Sequence, residues 1–176
     1  MGASPKGPFD IDSETARRML DSPLNINGRP NSDVVRPVVS GVDLVRNSRD
    51  LWTIDFGVMS ENEAAAYEKP FEYLKKTAFP VRSQNRRVAY AAKWWQYAEA
   101  RPGMRGALKG KPRFIATPEV SKHRIFAWVD SSKLCNQQTL VYARDDDYFF
   151  GVLHSRLHEV WARAQGTQLR EVESGF

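Results

Sequence analysis

One cysteine in 176 residues, Cys135, excludes an internal disulfide and any multi-cysteine zinc site, so a reducing compartment is the simplest setting. No apolar run approaches the roughly 20 residues of a membrane-spanning helix, and the opening residues lack the pattern of a signal peptide. A cytoplasmic protein without membrane contact is expected. Lys6 departs from the myristoylation pattern, and Met1-Gly2 reads as a translation start or a cloning remnant. Catalytic signatures are missing as well. There is no Gly-x-Gly-x-x-Gly after a strand, no Walker loop and no Gly-x-Ser-x-Gly elbow. His154 and His158 stand four apart but have no third ligand, and the following Glu159 is not placed as in a zinc protease. Asp145, Asp146 and Asp147 are explained by a helix start. No nucleophile, metal site or acid–base pair assembles, so no catalytic residue and no metal are assigned.

What is present is one basic stretch. Arg82 to Arg124 holds eleven of the 26 Lys and Arg residues but only two acids, Glu99 and Glu119. The rest of the chain carries 15 basic and 19 acidic residues, so the positive surplus behind the pI near 9.4 sits in this segment. Tyr90, Trp94, Trp95, Tyr97 and Phe114 are interleaved with the cations. Clustered Lys and Arg neutralise phosphates, the main source of non-specific nucleic-acid affinity. Hydrophobic residues at 41% and charged residues at 27% fit a globular chain with a real core, read as a single domain over 1–176.

The pattern along the chain predicts an α+β fold, a mixed sheet with flanking helices. Ser13 is expected to cap a helix to about Leu20. Val34 to Val45 reads as a strand, a turn at Gly41 and the start of a second strand, with LWTIDF (51–56) as another. Ser60 and Glu63 form a capping box for a helix interrupted near Pro70. Short helices are expected around Arg86–Ala92 and Pro102–Leu108. Strands are expected at FIAT (114–117), IFAWV (125–129) and LVYA (140–143). A last helix is expected from Asp146 to Ala164, with Phe149, Leu153, Leu157, Val160 and Trp161 as its buried stripe.

PEVSKHR (118–124), between two of these strands, mixes signs inside a basic run. A glutamate repels the phosphate backbone, yet it accepts from a cytosine amino group in the major groove, where Arg and Lys donate to guanine. Base reading suits such a loop better than phosphate clamping alone. Trp94 and Trp95 are taken as structural first; in an extended run at most one of them faces inward.

Several blocks in order, VVRPVVSGVDLVRNSRDLWTIDFG, EAAAYEKPFEYL, PRFIATPEVSKHRIFAW and ARDDDYFFGVLHSRLHEVWARAQGTQLR, resemble the target-recognition part of MmeI-like class I S-adenosylmethionine-dependent DNA methyltransferases. FFGVLHS is similar to the LG-x-L-N-S element that follows recognition domains in related adenine methyltransferases and type I specificity subunits, with His154 where Asn is common. The resemblance implies a non-catalytic recognition domain. Its partners would be duplex DNA and a methyltransferase domain of the same parent chain. That absent domain would bind S-adenosylmethionine and methylate adenine N6 through an Asn/Asp-Pro-Pro-Tyr motif missing here. The same comparison implies roles. Arg86, Arg87, Lys93, Arg105, Lys109, Lys111 and Arg113 are expected to hold phosphates. Glu119, Ser121, Lys122, His123 and Arg124 are expected to read bases. Two other readings stay open at this point: a module docking an acidic protein, and a single-strand binder stacking bases on Trp94, Tyr97 and Tyr90.

Overall fold

The computed structural model describes residues 1–46, 49–121 and 123–165. They fall into two units, one made of Ala3–Val38 and Asp50–Pro102, the other of Met1–Gly2, Val39–Arg49 and the chain from Gly103 onward. The architecture is the expected α+β arrangement, with helices flanking antiparallel strand pairs.

The first unit begins with β1 (Asp10–Ile11) and α1 (Ser13–Leu20). Asp12, not Ser13, is the cap of α1: its carboxylate accepts from the Thr15 amide at 2.7 Å, one residue earlier than the sequence suggested. Ala16 and Met19 face inward, and the buried Asn31 side chain donates to the Met19 carbonyl at 2.8 Å, closing the far end. β2 (Val35–Val39) and β1 flank β3 (Trp52–Ile54), both antiparallel to it. The capping box forms as read, with Ser60 and Glu63 satisfying each other's amides at the start of α2 (Glu61–Ala65). α3 (Glu68–Thr77) follows after a break at Ala66–Tyr67; Pro70 lies in its first turn, where a missing N–H costs little. α4 (Phe79–Arg82) and α5 (Val88–Ala92) complete the helices.

Both tryptophans of the central stretch are buried here. Residues 93–96 form a turn, with the Gln96 amide bonded to the Lys93 carbonyl at 3.0 Å, so the side chains do not alternate as in a strand. Trp94 packs edge-on to Phe79 and Trp95 and against Phe71, and Trp95 Nε1 donates to the Met59 carbonyl at 2.9 Å. Tyr97 is buried against Phe9. Glu99, an acid with no evident use in the sequence, pairs with Arg101.

Arg82 is the largest departure from the basic-surface reading. Its side chain is 1% exposed, although it opens the charged segment. The guanidinium donates to the carbonyls of Pro5 (3.0 Å), Lys6 (3.2 Å), Lys93 (3.4 Å) and Gln96 (2.9 Å), between the rings of Phe9 and Tyr90. Burial pushes its pKa down. A guanidinium offers five donors in a planar fork, and here it ties the Pro5–Lys6 backbone to the turn at 93–96.

In the second unit α6 (Pro102–Leu108) falls where the sequence put it. β4 (Arg113–Pro118) is the centre of a three-stranded antiparallel sheet, between β5 (Ala127–Asp130) and β7 (Thr139–Tyr142); the two-residue β6 (Leu134–Cys135) is not part of that sheet. FIAT is buried throughout, its first three residues apolar, because β4 is covered on both faces. Phe114 and Ala116 pack with Val39, Val129 and Cys135, while Ile115 packs with Phe126 and Leu153 on the other face. The expected second strand near Val42–Val45 is a turn instead, folded by Ser40 and Asp43. Gly2 is packed against the turn before β7. Its amide donates to the Thr139 carbonyl at 2.9 Å, and a Cβ there would stand 2.1 Å from the Asn136 carbonyl oxygen.

The last helix is two: α7 (Asp147–His154) and α8 (Arg156–Gln165). Ser155 separates them with extended backbone, and its hydroxyl accepts from the His158 amide at 3.2 Å, so a serine inside the periodic pattern caps a new helix. The break ends the stripe. Leu153 is buried, but Leu157 is 85% and Trp161 62% exposed. His154 and His158 pack on Phe126, and among the described residues no group of three or more His, Cys, Asp or Glu is placed to hold a metal.

Asp146 caps α7, accepting from Arg144 and from the Phe149 amide, both at 2.8 Å. The Arg144 bond first, then the amide, hold its carboxyl at about 2, below the ordinary 3.8. The cap's contribution is therefore complete above the ordinary value and is lost as pH falls from there toward 2. Urea midpoints measured between pH 5 and pH 2 should decline across that interval. Asp146→Asn, which caps without titrating, should make the decline shallower.

Candidate nucleic-acid interface

The second unit carries a groove of about 580 Å³ at the open end of its sheet. One wall is the turn after β2, which presents Val42, Val45 and Arg46; the other is the loop after β4, with Glu119, Ser121 and His123. Gln138, from the turn before β7, also lines it. These side chains come from three stretches far apart in sequence.

Local bonds fix both walls. Ser40 donates through its amide (2.8 Å) and its hydroxyl (2.6 Å) to Asp43, and Arg49 reaches Asp43 and the Ser40 hydroxyl. Burial alone pushes the Asp43 carboxyl up, but the Ser40 and Arg49 hydrogen bonds outweigh it and hold the group below the usual range. The turn thus keeps a buried anion. Across the groove the Glu119 amide donates to the Gln138 carbonyl at 2.9 Å. Gly41 permits the close approach of the two walls, because a Cβ there would lie 2.8 Å from that same carbonyl oxygen. Arg46, Glu119, His123 and Gln138 are exposed, and Ser121 is half-buried. The groove therefore offers a cation, a carboxylate, a hydroxyl, an imidazole and a carboxamide on fixed backbone.

Of the residues expected to read bases, Glu119, Ser121 and His123 meet in this groove. Arg124 is half-buried, its guanidinium over the Phe126 ring, and does not line it. Lys122 lies outside the described residues. Val42, Val45, Arg46 and Gln138 were not singled out from sequence. The glycine at 41 marked a turn but could not say what the turn would face.

The residues expected to hold phosphates divide between the units. Arg86, Arg87 and Lys93 belong to the first, where all are exposed. Arg87 donates to the Tyr90 hydroxyl at 2.9 Å and stacks on that ring, beside a polar cleft with Lys6 and Asn85. Arg105, Lys109, Lys111 and Arg113 belong to the second. Lys109 is exposed and Arg105 half-buried on α6. Lys111 pairs with Asp145 at 2.9 Å, and Arg113 with Asp147 at 2.7 Å while lying over Trp128 at 3.9 Å. Those two cations fasten the start of β4 to the start of α7. Cations that are continuous in the sequence thus belong to two different units.

No described helix is long and apolar enough to cross a membrane. No protein-family model matches the sequence, and no curated protein does. Among solved structures, the chain is similar to the type IIL restriction-modification enzyme MmeI in complex with DNA. The TM-score is 0.67 at 19% sequence identity, over 96% of this chain and 22% of that one. The likeness is one of fold, and the chain spans about a fifth of that enzyme's length.

Proposed function

We propose that this chain is the sequence-reading part of a restriction-modification enzyme that methylates adenine N6, and that it binds duplex DNA without itself catalysing the reaction. The observation that carries the reading is the groove of the second unit, where groups of opposite charge from distant segments stand exposed on a braced sheet. Its fold is similar to one solved in an enzyme bound to DNA, which supports the same view.

Within the groove Glu119 accepts a hydrogen bond from a cytosine amino group, and Ser121 and His123 contact neighbouring base edges. Arg46 reaches a phosphate and sets the register, as do Arg86, Arg87, Lys93, Arg105 and Lys109 from exposed or half-exposed positions. Lys111 and Arg113 act at one remove, by holding β4 to α7. Methyl transfer from S-adenosylmethionine belongs to a separate domain of the parent, since this sequence has neither a Gly-rich cofactor loop nor an Asn/Asp-Pro-Pro-Tyr motif. The parent is read as a cytoplasmic enzyme in this proposal. Single-strand stacking is disfavoured because Trp94 and Tyr97 are buried.

One titration series tests the proposal. Affinity for duplex DNA, measured over a range of salt concentrations, should fall linearly on logarithmic axes. Glu119→Ala should keep that slope while losing discrimination at one base pair, by about 1–3 kcal/mol. Salt-independent binding, or a Glu119→Ala variant that weakens every duplex alike, would count against base reading here.

A further inference from the structure

The structure assigns Gln138 as a second base-reading side chain, paired with Glu119 and suited to adenine. This rests on the DNA-reading proposal and goes further, because it names a residue outside the basic segment and the base it takes.

The register of the sheet makes the case. β4 and β7 pair Ile115 with Tyr142, Ala116 with Val141, Thr117 with Leu140 and Pro118 with Thr139. The Glu119 amide bonded to the Gln138 carbonyl at 2.9 Å extends the ladder by one step, so residues 119 and 138 stand opposite each other. Side chains of directly opposed residues lie on one face, about 4.5–5.5 Å apart at Cβ. Successive bases of a strand are about 3.4 Å apart along the axis, so the two groups address the same base pair or neighbouring ones.

Gln138 is also held in place. Its amide donates to Asn136 Oδ1 at 3.0 Å, and the amide and hydroxyl of the next residue, Thr139, both bond the Asn136 carbonyl, at 3.1 and 2.7 Å. Thr139 is fully buried. Gly41 presses the opposite wall against the Gln138 carbonyl. The backbone is fixed from both sides while the carboxamide is exposed in the groove, and among the described residues no hydrogen bond engages it. A carboxamide gives one donor and one acceptor side by side, the complement of adenine N6 and N7 in the major groove. Glu119 can only accept. The two together distinguish adenine from cytosine at nearby positions, which neither does alone.

The experiment selects bound duplexes from a random library with the 176-residue chain and with Gln138→Ala, Gln138→Glu and Glu119→Ala. Thermal unfolding of each variant confirms that the exposed positions leave the fold intact. Gln138→Ala should erase an adenine preference at one position, no more than one base pair from the position lost in Glu119→Ala, by roughly 5- to 150-fold. Gln138→Glu, which no longer has a donor, should move that preference toward cytosine. If the unaltered chain selects no sequence at all, the DNA-reading proposal beneath this inference fails. If it selects one and Gln138→Ala leaves it unchanged, weakens all sequences alike, or alters a distant or non-adenine position, the assignment of Gln138 alone is overturned.

Discussion

Replacing Arg82 by leucine should lower the unfolding free energy by about 3–5 kcal/mol, because a buried polar group left unpaired costs about 1–3 kcal/mol and several are left here. Leucine fills much of the same space, so the loss comes from the carbonyls of Pro5, Lys6, Lys93 and Gln96, each left without its donor. Arg82→Lys separates geometry from charge. An ammonium is a compact donor without a planar fork and cannot bridge the same set of carbonyls, so this variant should also be destabilised, though less. Urea unfolding at neutral pH measures both. A change under about 1 kcal/mol for leucine would mean that the guanidinium contributes little, and that its place is set by the aromatic rings around it.

A comparable loss, again about 3–5 kcal/mol, is expected for Phe114→Ala in the second unit. Phe114 is 1% exposed and packs in the apolar cluster of Val39, Ala116, Val129 and Cys135, with half-buried Leu44, Leu108 and Val141 against it. The neighbours are strand residues held by cross-strand hydrogen bonds, so the cavity cannot collapse easily. The informative control is Trp161→Ala. It removes a larger ring, yet that ring is mostly in solvent, and the change should stay within about 0.5 kcal/mol. Chemical unfolding of the two variants should therefore rank them opposite to side-chain size. Equal losses would contradict the exposed setting of α8.

That pair of variants marks where sequence reading worked and where it failed. Local signals held: the Ser60–Glu63 box, the helix at Pro102–Leu108, and the apolar run of β4 all depend on residues within a few positions of each other. The stripe through Leu157 and Trp161 failed because periodicity cannot see that Ser155 makes a better cap than a helix interior residue. Arg82 was misread for a related reason. Charge forecasts exposure only when no backbone supplies enough acceptors, and the Pro5–Lys6 carbonyls that receive it lie far away in sequence. The candidate site was half legible. PEVSKHR drew notice through its mixed charge, whereas Val42–Arg46 and Gln138 carry no local mark and join the groove only through the pairing of β4 with β7 and the close pass at Gly41.

The placement of residues 119 and 138 one step past the last rung of a buried ladder has a further consequence. Ile115, Ala116 and Thr117 bear the packing, and Pro118 with the fully buried Thr139 ends it, so exchange at the two positions beyond leaves every core contact in place. Surface replacements of that kind cost within about 0.5 kcal/mol. In the proposed DNA-reading role, preference for one base over another would therefore be free to drift along a lineage, or to be rewritten by design, without a cost to folding.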